Sequence, residues 1–178
     1  MGMTTTIDGT SGITTPSGAI YNGIASGTAV ASTSGTSITY SSLPSWVKRI
    51  TIMLKGFGTS GTSIKQFQLG SGSATTTGYV GSASAVSAST VGSASYTTGF
   101  AIQDATAANR ISGNWVFTLE NASTNTWICS GTGGLSTGSQ TYMTGGFISL
   151  SGTLDRVIIT TVNGTDTMAA GEINILYE

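Results

Sequence analysis

Between short clusters of Gly, Ser and Thr, the apolar residues of this chain recur at every second position, as they do in strands buried on one face. In Lys48–Lys55 (KRITIMLK), Ile50, Ile52 and Leu54 fall on one face and Arg49, Thr51, Met53 and Lys55 on the other. The alternation is cleaner in residues 111–120. There Ile111, Gly113, Trp115, Phe117 and Leu119 oppose Ser112, Asn114, Thr118 and Glu120, which predicts a half-buried antiparallel strand. Comparable runs occupy 36–42, 64–70, 77–83, 125–130, 140–150, 154–162 and 172–177. No segment keeps a helical period for three turns. The pattern therefore predicts an all-β chain of roughly eight to ten strands, an antiparallel β-sandwich or barrel.

The punctuation refines this picture. Asn163-Gly164 separates two strand-like runs and predicts a hairpin, because both residues tolerate positive φ. Gly133-Gly134 reads as a loop, and Gly145-Gly146 as a bulge or close backbone approach within a strand. Abundant Thr gives a solvent face that is polar without charge. Lys and Pro, which normally protect edge strands, are scarce, so closure into a jelly roll or capping by neighbouring subunits is expected. Two segments differ from the rest. Residues 1–34 hold Ile7, Ile13, Ile20, Tyr21, Ile24 and Val30 among small polar residues, too little to build a core. They read as an extended N-terminal arm for attachment and trimer contacts, with a β-sandwich domain over 35–178. Gly81–Gly99 is nearly all Ser, Ala, Thr, Gly and Val. It fits a long loop or a flat strand pair at a crowded subunit axis, and the loop is the expectation.

Charge and chemistry narrow the function. The 178 residues suit one domain with a real core. They include no histidine, one cysteine, six basic and seven acidic side chains, for a net charge of −1. The acids (Asp8, Asp104, Glu120, Asp155, Asp166, Glu172, Glu178) are scattered singly, and catalysis needs tuned pairs or a base beside a nucleophile. No catalytic residue and no enzyme activity are expected. A glycan depolymerase would need two carboxylates roughly 5–9.5 Å apart, and only Asp155, Asp166 and Glu172 lie close in sequence. Lys48, Arg49, Lys55, Lys65, Arg110 and Arg156 are too dispersed to neutralise nucleic acid. Near-neutrality weakens mutual repulsion and favours association. The first residues lack a basic and an apolar region, and no run of 18 apolar residues occurs, so a soluble chain without signal peptide or membrane contact is expected.

Individual motifs add little. Gly131-Thr132-Gly133-Gly134 lacks the Lys-Ser/Thr of a phosphate loop and reads as an ordinary loop. Asp8-Gly9-Thr10 and Asp104 with Asn109 offer oxygens to calcium without the alternating acids of a calcium loop, so neither metal nor cofactor is expected. Cys129 reads as a small buried hydrophobe. Trp46, Trp115 and Trp127 sit in apolar strand-like runs and are assigned to the core. Tyr79, Tyr96, Phe100 and Tyr142 lie among Gly and Ser and are candidates for an exposed surface that stacks on host glycan.

Two stretches carry a resemblance. The run from Ser149 through Leu154-Asp155-Arg156-Val157-Ile158-Ile159 and Asn163-Gly164 to Ala170-Gly-Glu-Ile-Asn-Ile-Leu-Tyr-Glu178 resembles the terminal domain of tail-fibre-like and other surface proteins of tailed bacteriophages. Leu43-Pro-Ser-Trp-Val-Lys-Arg-Ile-Thr-Ile-Met53, with Gln68-Leu-Gly70 and Thr77-Gly-Tyr79, looks like that domain's beginning. The resemblance covers about residues 35–178 and implies a trimeric β-sandwich displayed on a virion surface, without a catalytic residue. Tail fibres carry a long shaft, whereas 34 residues precede the domain here. The short arm and knob are similar instead to phage capsid decoration, or cement, proteins. The resemblance thus implies a homotrimer docked on other virion proteins of the capsid by Ile7, Ile13, Ile20, Tyr21 and Ile24, or alternatively a fibre tip that recognises host glycan.

Overall fold

The computed structural model describes residues 23–178 throughout, together with the backbone of three short strands before them. Those strands, β1 (Thr6–Asp8), β2 (Gly12–Thr14) and β3 (Ile20–Tyr21), pair antiparallel in one small sheet. The chain continues through β4 (Ala25–Ser26), β5 (Val30–Ala31), β6 (Ile38–Tyr40), β7 (Arg49–Thr59), β8 (Lys65–Ser71), β9 (Ser73–Ala74) and β10 (Val80–Ser87). It ends in β11 (Val91–Tyr96), β12 (Phe100–Ile102), β13 (Ile111–Asn121), β14 (Thr126–Leu135), β15 (Gln140–Ser149), β16 (Arg156–Thr161) and β17 (Met168–Tyr177). No helix occurs among the described residues.

Two antiparallel sheets carry the domain. The larger runs β11-β10-β15-β14-β13-β7-β17-β4, with β5 also on β17, and the smaller runs β12-β8-β16-β6, with β9 on β8. Each presents its alternate apolar residues to the other, in a β-sandwich-like arrangement with one continuous core. Ile50, Ile52, Trp115, Phe117, Trp127, Ile148, Ile173 and Ile175 come from the larger sheet, and Phe67, Leu69, Phe100, Ile102, Val157 and Ile159 from the smaller. Phe67 touches Trp115 and Phe117 at ring-centroid distances of 5.3 and 5.8 Å, so the sheets are joined by aromatic packing. The face assignments read from residues 48–55 and 111–120 hold. Ile50, Ile52, Leu54, Ile111, Trp115 and Phe117 are buried, whereas Ser112, Asn114, Thr118 and Glu120 are exposed.

Four expectations are corrected. Gly81–Gly99 is no long loop: β10 and β11 pair from Gly81–Tyr96 to Val86–Val91, because the small residues alternate inward and outward like larger ones. Asn163-Gly164 makes no hairpin, since β16 belongs to the smaller sheet and β17 to the larger. The turn is closed by Gly164 N–H donating to the Thr161 carbonyl at 3.0 Å, and it carries the chain between layers. Gly133-Gly134 and the whole 131–134 run lie inside β14. A Cβ on Gly131 would stand 2.1 Å from Trp115 Cδ1 and one on Gly133 2.6 Å from Cη2, so Gly131 and Gly133 are the floor on which the indole lies. Trp46, assigned to the core, sits in a turn and is 36% exposed, resting against Tyr177. The close approach expected at Gly145-Gly146 is present, since a Cβ on Gly146 would meet the Val80 carbonyl oxygen at 2.4 Å.

Candidate functional site

Strand register lays out the solvent face of the larger sheet row by row. One row runs Val80, Phe147, Ile128, Thr118 and Arg49 across β10, β15, β14, β13 and β7. The next runs Ser82, Gly145, Ser130, Val116 and Thr51, and a third Ser84, Met143, Thr132, Asn114 and Met53. Val80, Phe147 and Ile128 are 57%, 44% and 46% exposed, which makes a contiguous apolar stripe. Shallow depressions of about 480 Å³ beside Val80 and about 550 Å³ beside Phe147 and Ile128 flank it. From β10 to β13 these rows hold no charge, and Glu120 stands at the border. The ion pairs Arg49–Glu178 (3.1 Å) and Lys55–Glu172 (3.4 Å) join β7 to β17 and the residue that follows it, at the other end of the sheet. Apart from Glu120, which shares the depression beside Phe147 and Ile128, charge is thus kept off the stripe. The uncharged half ends at β11, an edge strand whose exposed residues Val91, Ser93 and Ser95 offer neither Lys nor Pro against pairing.

The opposite edge is covered. Residues of the predicted arm lie along β17: Leu176 and Tyr177 pair with β4, and Glu172 and Ile173 with β5. Gly27 N–H donates to the Ile175 carbonyl, and Ser32 Oγ to the Ala170 carbonyl at 2.6 Å. Ile24 is exposed, at 67%. The side chains of Ile7, Ile13, Ile20 and Tyr21 lie outside the described residues.

The aromatic residues expected on a glycan-stacking surface part company. Tyr79, Phe100 and Tyr142 are buried, at 1% exposure or less. Tyr79 packs edge-on against Phe100 at 5.0 Å, and its hydroxyl accepts the Leu69 N–H at 2.8 Å. Burial pushes its phenol well above the ordinary range. Tyr96 alone stays half-exposed, donating to Gln103 Oε1. Their Gly and Ser neighbours are the reason, because small residues beside a ring are what give it room inside. Cys129 is buried as expected, and desolvation raises its thiol pKa, so it is no reactive nucleophile.

The sequence reading missed a buried polar cluster at one end of the sandwich. Lys65 Nζ donates to Asp104 Oδ2, with side chains 0% and 2% exposed. Asp104 Oδ1 also accepts from Asn109 Nδ2, and it lies 3.1 Å from the Tyr142 hydroxyl, which shares its one proton between Oδ1 and Gln140 Oε1. Burial, then the Asp104 charge, pushes the Tyr142 phenol up. The signal was available: Lys65, Phe67 and Leu69 are two apart, so alternation places the lysine on the buried face. Asp104 and Asn109, weighed as oxygen ligands, hold each other and Lys65, and no metal-holding group of His, Cys, Asp or Glu occurs among the described residues.

Compared with known proteins, the chain matches no family model and no curated relative.

Proposed function

We propose that this chain is a non-enzymatic structural protein of a phage virion, a homotrimer of jelly-roll-like sandwiches that decorates or cements the capsid and is held there by its N-terminal arm, residues 1–34. The uncharged half of the larger sheet, with its Val80–Phe147–Ile128 stripe, carries the reading. Covering such a face removes apolar surface from water and desolvates hydroxyls that can pair with one another, with a single carboxylate, Glu120, at its border. Interface cores are depleted in charge for that reason. The bare β11 edge lies beside the stripe, so a neighbouring copy packed there seals both.

The arm supports the attachment half of the proposal. Its last strands already add by backbone pairing to an open sheet edge, β17, and the same chemistry would serve on an exposed edge of a shell protein. Three arms from one trimer make the second and third attachments effectively intramolecular, so three weak contacts hold tightly. Sugar stacking is the weaker reading, because of the four aromatic residues it needs only Tyr96 reaches solvent.

The test is Phe147→Glu in the full chain. The substitution adds three charges to the trimer face without touching the core. Sedimentation should shift from trimer to monomer with the far-ultraviolet circular dichroism unchanged. A wild-type chain that sediments as a monomer at micromolar concentration sinks the assembly. Deleting residues 1–22 should keep the trimer and abolish capsid binding, and retained binding sinks the role of the arm.

A further inference from the structure

We propose that Lys65 and Asp104 condense to an intramolecular amide, an isopeptide bond that covalently ties β8 to the segment leaving β12. Lysine is almost never fully buried unless paired, and here both partners are withdrawn from water, at 0% and 2% exposure. The backbone fixes them. Lys65 opposes Ile102 in the β8–β12 ladder, and Asp104 follows two residues later, its N–H donating to the Ile102 carbonyl at 2.6 Å. The amine and carboxylate are therefore held against one another, which replaces the encounter of two groups in solution by a positioned, effectively unimolecular step.

The cluster around the pair supplies what the condensation needs. Holding two ions in a dry interior is costly, and passing one proton from Nζ to Oδ2 removes both charges. The neutral amine lone pair then attacks Cγ, forming the C–N bond and placing negative charge on Oδ1. Oδ1 is the atom that faces the Asn109 Nδ2 and Tyr142 hydroxyl donors, which stabilise the charge as it develops. The second amine proton passes to Oδ2, the C–Oδ2 bond breaks, and Oδ2 departs as water. An ammonium and a carboxylate become one amide and one water, with no oxidant or co-reactant. Exclusion of bulk water then protects the amide from hydrolysis. The bond closes a span of 39 residues and fastens β12, an edge strand only three residues long, to the centre of the smaller sheet.

Intact mass spectrometry of the denatured full chain tests this. The expected mass is one water below that of the sequence. Trypsin, which does not cut after an acylated lysine, should release residues 56–110 as a single ring-containing peptide in place of 56–65 and 66–110. Lys65→Met and Asp104→Ala should each carry full mass, and Asp104→Asn should lose one ammonia instead of one water. A wild-type chain of full mass, cut normally after Lys65, overturns the proposal whether or not the variants fold. A wild-type deficit of one ammonia overturns the assignment to Asp104 and moves the acyl partner to Asn109.

Discussion

Trp115 shows how single residues set the packing of this sandwich. Its indole lies across β14, where a Cβ on Gly131 would fall 2.1 Å from Cδ1 and one on Gly133 2.6 Å from Cη2. Its Nε1 donates to Thr144 Oγ1 at 3.0 Å, and that hydroxyl donates to the Ala101 carbonyl at 2.6 Å, so the ring is pinned between sheets. Gly131→Ala should therefore destabilise by about 1–3 kcal/mol in urea unfolding, the ordinary cost of overpacking. Gly134→Ala, three residues along the same strand with open space at its Cβ, should change stability by less than about 0.5 kcal/mol. Equal effects would show that β14 shifts to accommodate the methyl group. Period-two patterning made Ile50, Ile52, Trp115 and Phe117 legible in the sequence, because each sits in a run long enough to show alternation. Tyr79, Phe100 and Tyr142 were not, since one ring among small residues gives no period. Lys65 and Asp104 meet across 39 residues, a contact that pairing creates and no local pattern encodes.

At the scale of elements, the long strands with large alternating side chains were legible and their partners were not. Hydrophobic alternation marks where a strand runs, but the ladder that receives it depends on the crossing from layer to layer. The Asn163 turn illustrates this. Asn163 Oδ1 accepts from Thr165 N–H and from Thr161 Oγ1 at 3.0 and 2.7 Å, an Asx-type turn suited equally to a hairpin and to a crossing between sheets. The small-residue pair β10 and β11 was hidden for a related reason, since Ser and Ala give almost no contrast between faces. The arm yields an element-scale prediction. β4 and β5 satisfy the outer side of β17, a ten-residue strand that would otherwise be an open edge. Deleting residues 1–22 keeps this cover, whereas deleting 1–34 strips it. The longer deletion should scatter light and bind amyloid dyes on standing and lose hydrogen-exchange protection along β17, and the shorter should do neither. Identical behaviour of the two would mean that β4 and β5 do not protect the edge.

For the molecule as a whole, the scarcity of charge dictates a stability profile with a wide plateau. The exposed pairs Arg49–Glu178 and Lys55–Glu172 contribute little. Asp155 and Asp166 contribute to the acid limb. Asp155 is held below its usual 3.8 chiefly by hydrogen bonds from Arg156, and Asp166 by Asn163 and the Ser63 N–H. A depressed carboxyl contributes stability above its unfolded value and loses it as pH falls through the folded one, so this limb lies below about pH 4. The alkaline limb has the opposite origin. Burial raises Cys129 from an unfolded value of 9.0, and Tyr79 and Tyr142 from 10.0. Each contributes stability that is complete below its unfolded value and is lost as pH rises toward the folded one. With no histidine in the chain, no side chain of ordinary pKa titrates between the limbs. Urea midpoints should thus be level from about pH 5 to 8 and fall on both sides. In Cys129→Ala the alkaline fall should begin near 10.0 rather than 9.0, at a lower midpoint throughout because the thiol's packing is lost. An unchanged onset would remove Cys129 from this account and leave the buried phenols to explain the limb alone.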